Sequence, residues 1–127
     1  MPYNYTINTE KNLLVVKHYE LFADADLQSF RETVENAPHF NTTMDQLVDL
    51  SKVTRFELTM PYIEMFAKNP LTDQSSTIVI IATTDIAHGT ARAFASYSGE
   101  ASENIHICRN YSEAEKILNL NNLYDDS

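Results

Sequence analysis

The sequence predicts an α/β domain: a mixed five-stranded sheet, with an antiparallel edge hairpin followed by parallel strands, and about four helices in the order ββαβαβαβα. Three observations carry this. Two runs with strand character, Tyr3–Asn8 and Leu13–Tyr19, are separated only by the polar turn Thr9–Asn12, which makes them a hairpin. Downstream, short apolar runs alternate with stretches of helical period, the pattern of parallel strands joined by right-handed helical crossovers. The run STIVIIA (Ser76–Ala82) is apolar on both alternating faces, as a central strand covered on both sides requires.

Tyr3, Tyr5 and Ile7 alternate with Asn4, Thr6 and Asn8, the period of a half-buried edge strand. Leu13–Tyr19 (LLVVKHY) is its partner. From Asp24 the spacing becomes helical, with Leu27, Phe30 and Val34 on one stripe, Asp24 and Asp26 at the positive end, and Pro38 as the stop. Gln46–Leu50 then reads as a buried strand, Ser51–Arg55 as a polar turn, and Thr59 as the cap of a helix that starts near Met60 and turns Tyr62, Met65 and Phe66 inward, with Pro61 in its first turn and Pro70 beyond its end. After Ser76–Ala82, Asp85 opens a third helix with Ile86, Ala93, Phe94 and Tyr97 on its inner stripe, and Gly99 closes it. Asn104–Arg109 is the fifth strand. Ser112-Glu113-Ala114-Glu115 reads as a capping box for a last helix with Ile117 and Leu118 inward, and 123–127 as a frayed acidic tail.

At 127 residues the chain is one domain, 1–127, large enough to bury about two-thirds of its extended-chain surface. Its net charge of −9, spread along the chain, argues against nucleic acid or an anionic membrane as partner, because neutralising phosphates needs clustered Lys and Arg. Only Gly89 and Gly99 are present, so neither a dinucleotide fingerprint nor a P-loop can be built, and no cofactor is expected. The lone Cys108, the absence of a charged-then-apolar leader in MPYNYTINTEKN, and the lack of an apolar run of ~18 residues lead to the expectation of a cytoplasmic protein without a transmembrane segment.

The hairpin ending in LLVVKHY, the strand QLVDLSKVT, and the segment IVIIATTDIAHGTARAFASY leading to a short strand and NYSEAEKIL together resemble the STAS superfold, most closely the SpoIIAA-like (STAS/SEC14-like) bacterial domains. The likeness covers nearly the whole chain. It implies a non-enzymatic regulatory module that binds a partner protein or, as in the SEC14-like branch, an apolar small molecule or lipid laid on the sheet beneath helices. In the anti-sigma-factor antagonists of this superfold, Asp-Leu-Ser is followed by Asp-Ser-Ser-Gly, whose serine is phosphorylated. Here Asp49-Leu50-Ser51 matches, whereas the second motif reads Glu57-Leu58-Thr59-Met60. Thr59 is the one hydroxyl left, and helix capping is favoured over a phospho-switch, with Asp expected to serve as an alternative cap.

A ligand site is expected at the carboxyl edge of the parallel strands, between the turns Ser51–Glu57 and Thr83–His88, where helix N-termini offer free N–H groups. Lys52, Arg55 and His88 would meet a polar head, Phe56 and Phe94 would wall the body, and Thr59 would stand at the helix start. The alternative is a small enzyme using His88 or the strand pair His106/Cys108. That pair lacks a third orienting group and too few ligands surround it for zinc. The surplus of large apolar side chains leads to the further expectation of a homodimer through the sheet or the edge bearing Tyr3 and Tyr5.

Overall fold

The computed structural model describes residues 3–120; the tail expected at 123–127 lies outside the described residues. Strands β1 (Tyr3–Asn8), β2 (Leu13–Ala23), β3 (Asp45–Glu57), β4 (Ile78–Ile81) and β5 (Ile105–Cys108) lie side by side in chain order. β1 runs antiparallel to β2, and the remaining pairs are parallel. Helices α1 (Asp24–Glu35), α2 (Met60–Lys68), α3 (Asp85–Tyr97) and α4 (Tyr111–Leu118) supply the crossovers and the last layer. The element order and the mixed sheet are those that the sequence predicts.

Strand alternation divides the sheet into two apolar faces. Leu14, Val16, Val48, Leu50, Ile78 and Ile80 point toward α1, α2 and α3. Leu13, Leu47, Val79, Ile81 and Cys108 point the other way, where Ala114 of α4 covers them with Tyr111 and Leu118 at the rim. The surplus of aromatics is largely absorbed inside: Tyr3 is buried, Tyr5 packs beside it, and both join the cluster of Phe30 and Val34 under α1.

The polar turn expected over Ser51–Arg55 does not exist. β3 continues to Glu57, paired with β2 as far as Ala23, well past the last β4 partner at Asp49. β3 carries extra residues in this stretch: Lys17 pairs with Asp49 but Tyr19 with Lys52, and Glu20 pairs with Val53 but Leu21 with Arg55. Such bulges break strict alternation. Val53 and Phe56 therefore face the core three apart instead of two, and the sequence loses its strand period there.

Helix faces differ in detail from the expected stripes. Ile86 (65% exposed), Met65 (47%) and Ile117 face outward, while Ala87 and Ala91 of α3, Ile63 and Ala67 of α2, and Ala114 of α4 are the buried positions. Small residues on the inner stripe let a helix approach closely, so hydrophobicity alone misplaces the stripe by one residue. Caps also shift. Thr84 caps α3, accepting from Ala87 N–H at 3.1 Å. Asn110, not Ser112, caps α4, accepting from Glu113 N–H at 2.9 Å, and the Glu113 carboxylate accepts from Arg109 N–H at 2.9 Å.

Leu47→Ala should therefore cost about 2–5 kcal/mol in urea unfolding, since Leu47 is fully buried between α4 and the neighbouring strands. Ile86→Ala should change stability by less than about 0.5 kcal/mol, since the side chain is exposed and its truncation leaves the Thr84 cap and the backbone bonds of the turn in place.

Candidate functional site

Between the sheet and the helices α1, α2 and α3 lies an interior pocket of about 80 Å³. Its floor is Val16, Val48, Ile78 and Ile80, and its roof includes Leu27, Ile63, Phe66, Ala91 and Phe94. That volume is roughly half of the ~150 Å³ apolar cavity known to take benzene or xenon, so the natural occupant is a compact body smaller than benzene, of about three or four heavy atoms.

Three polar side chains reach this lining. Gln46 Nε2 donates to Thr72 Oγ1 at 2.8 Å, and Thr90 Oγ1 donates to the Ile86 carbonyl at 2.9 Å. The third is His18. It is only 1% exposed, and its Nδ1 is the single buried side-chain nitrogen or oxygen that has no hydrogen-bond partner among the described residues. Leaving such a group unpaired costs about 1–3 kcal/mol. The ring is held in place by aromatics: Phe22 stacks on it at 4.1 Å, with Tyr3 at 5.8 Å and Phe30 at 5.9 Å. It stands opposite the first β3 bulge, a feature that commonly re-aims side chains beside sites. Burial pushes its pKa from 6.5 down to about 4, outweighing the opposing pull of the Asp49 carboxylate, so the imidazole is neutral at pH 7.

A second cleft lies on the outside of the same wall. α1 and α2 are tied at both ends. At one end the Thr59 N–H and Oγ1 donate to the Asp24 carboxylate at 2.9 and 2.8 Å; at the other the Arg31 guanidinium donates to the Asn69 and Pro70 carbonyls. Between these ties, Gln28, Glu32, Tyr62 and Met65 line a surface gap. Phe66, beneath the Arg31 guanidinium at 5.6 Å, borders both this gap and the interior pocket.

The residues expected to form a carboxyl-edge site are dispersed. Phe94 lines the interior pocket and meets Phe66 at 6.2 Å. Phe56 stands one layer behind it, edge-on to Phe22 at 6.1 Å. Lys52 and Arg55 are exposed on the projecting β2–β3 ribbon, where Arg55 pairs with Glu57. Thr59 caps α2, accepting from Tyr62 N–H at 3.4 Å, and His88 is half-buried in the first turn of α3. None of these last four lines the pocket. On the other sheet face, His106 is exposed while Cys108 is buried, and burial pushes the thiol up to about 11. A thiol that stays protonated at neutral pH is a poor nucleophile. Among the described residues no three His, Cys, Asp or Glu side chains are grouped to hold a metal.

His18 is the residue that the sequence reading passes over. Its signal was present in the alternation Leu14, Val16, His18, which puts a polar ring at an inward position of an otherwise apolar face. The chain matches no protein-family model and no curated protein.

The Asp24 clasp changes what substitution at Thr59 should do. Thr59→Ala removes the cap and a bond to Asp24 and should cost about 1–2 kcal/mol. Thr59→Asp, instead of serving as an alternative cap, sets a second carboxylate against Asp24 and should be the less stable of the two, with Asp24→Asn restoring part of the loss in thermal unfolding.

His18 also fixes a pH dependence. Above pH 6.5 the ring is neutral whether folded or unfolded; between pH 6.5 and about 4 only the unfolded chain takes the proton, so stability falls; below about 4 the loss saturates. The full loss is about 3 kcal/mol. His18→Phe should flatten the urea-unfolding profile across this window relative to the parent protein.

Proposed function

We propose that this domain is a non-enzymatic binding module that encloses a small apolar molecule between its sheet and helices α1, α2 and α3. The observation that carries the reading is the apolar pocket between the sheet and these helices, lined almost wholly by aliphatic and aromatic side chains. Ligand pockets are mostly apolar with a few placed polar groups, and an empty hydrophobic void lined by side chains is a cost unless something fills it. The resemblance to STAS/SEC14-like domains points the same way, with an apolar ligand on the sheet under helices. A long acyl chain exceeds the volume of the pocket as it stands, so a lipid would require α1 and α2 to separate along the cleft between their two ties.

The phospho-switch alternative at Thr59 meets a specific obstacle. The Thr59 hydroxyl already donates to the Asp24 carboxylate, so a phosphate there would bring two charges against a third. The partner-protein alternative draws support from the projecting β2–β3 ribbon, whose β3 edge beyond Asp49 has no neighbouring strand among the described residues and carries Lys52 and Arg55.

Ala91→Leu tests the ligand reading, because Ala91 lines the pocket and its enlargement fills it. Protein purified from its own host, denatured and extracted into solvent, should yield a near-stoichiometric apolar compound by gas chromatography and mass spectrometry. The Leu variant should lose that compound. Equal traces from both proteins, together with a Leu variant that is simply more stable, would identify the space as a packing defect and overturn the proposal.

A further inference from the structure

We infer that Gln46 selects the ligand, and that the pocket takes an uncharged molecule of about three or four heavy atoms whose one hydroxyl or carboxamide group donates to the Gln46 side-chain carbonyl. This rests on reading the pocket as a ligand site and adds the chemical class that the site selects. Alternation along β3 sends Gln46 to the side of Val48, in the pocket floor, and in register it stands between Leu14 of β2 and Ile78 of β4. A carboxamide therefore occupies a place that its neighbours fill with aliphatic side chains, and it is only 6% exposed.

The group is held in place while its carbonyl stays open. Gln46 N–H donates to the Thr77 carbonyl at 2.9 Å, and Nε2 donates to Oγ1 of buried Thr72 at 2.8 Å. Oε1 accepts from no group among the described residues. The one sealed side-chain nitrogen or oxygen without a partner among those residues is His18 Nδ1, so Gln46 Oε1 keeps surface that another atom can touch. Thr90, in the roof, gives its hydroxyl hydrogen to the Ile86 carbonyl and keeps its lone pairs. Both oxygens are acceptors, so a ligand that brings a hydrogen matches them. No Lys, Arg, Asp or Glu lines the pocket, so a carboxylate or an ammonium group would find no counter-charge there, and burying either alone is prohibitive. A hydroxyl or carboxamide both donates and accepts, and so meets the open end of Gln46 with the amide turned either way.

2-Propanol and isobutane separate this inference from the reading beneath it. They share one branched shape and differ only in a hydroxyl that replaces a methyl group. In methyl-labelled protein, both should shift the resonances of Leu27, Ile63, Ile78 and Ile80 saturably. In ¹⁵N-labelled protein, 2-propanol alone should move the side-chain amide resonances of Gln46, assigned through bonds from its main chain. Gln46→Met, close in shape, should keep isobutane binding while the preference for 2-propanol over isobutane falls about tenfold, one buried hydrogen bond's worth. Thr72→Val removes the other half of the Gln46–Thr72 bond and should leave that preference in place. If both probes bind but the Gln46 amide responds to them alike and the preference is unchanged in Gln46→Met, the residue serves only to tie down Thr72, and the inference is overturned while the pocket stands. If neither probe shifts the lining methyls of the parent protein, the pocket reading fails and the inference fails with it. Should Gln46→Met not fold, the amide measurement on the parent protein decides alone.

Discussion

Covering a sheet that is apolar on both faces is the constraint on which the rest of this structure depends. β2, β3 and β4 carry Leu, Val and Ile to both sides, so helices must lie above and below or the faces remain wet. The two solutions differ. α4 closes one face through Ala114, a residue small enough to bring the helix down onto Leu47, Val79 and Ile81. The other face is roofed by three helices, and α3 approaches through Ala87 and Ala91 while α1 and α2 are tied to one another by polar groups at their ends. Ties at the ends fix the spacing of the two helices without filling the middle. The pocket is the space that results.

The treatment of polar groups in the two cores sharpens the contrast. Asp49, Gln46 and Thr72 are all buried, and each makes at least one side-chain hydrogen bond. A chain that satisfies its buried carboxylate twice over, yet leaves an imidazole nitrogen without a partner, is spending stability at one place. A phenylalanine would fill the same aromatic niche between Phe22, Phe30 and Tyr3 without an unpaired atom.

Much of this fold was legible in the residues, and the parts that were not share a cause. Element order, the antiparallel hairpin and the parallel remainder follow from period and punctuation, which are local properties. The long β3 was not legible beyond Leu50, because the bulges near Ser51 and Thr54 replace alternation with a three-residue step that imitates a polar turn. Helix stripes were displaced toward Ile86 and Met65 because hydrophobicity marks the largest apolar residues, whereas close packing selected Ala87, Ala91 and Ala67. The candidate site suffered most. Grouping Lys52 and Arg55 with His88 depends on a turn that is really a strand, while Phe94, expected as a wall at the sheet's edge, lines the pocket between the sheet and the helices. Thr59 was legible as a cap; its clasp on Asp24, 35 residues away in sequence, was not.

The central claim is that the space above Val48 and Ile80 is a dry, apolar site. A crystal structure of the ligand-free protein under xenon pressure tests it most directly, since xenon settles in dry apolar cavities and is recognised by its scattering. The account predicts one ordered xenon atom enclosed by Leu27, Ile80, Ala91 and Phe94, within reach of the His18 ring and with the helices unmoved. A pocket occupied instead by ordered water bonded to His18 Nδ1, or closed by inward rotation of Phe66 and Phe94, would contradict it.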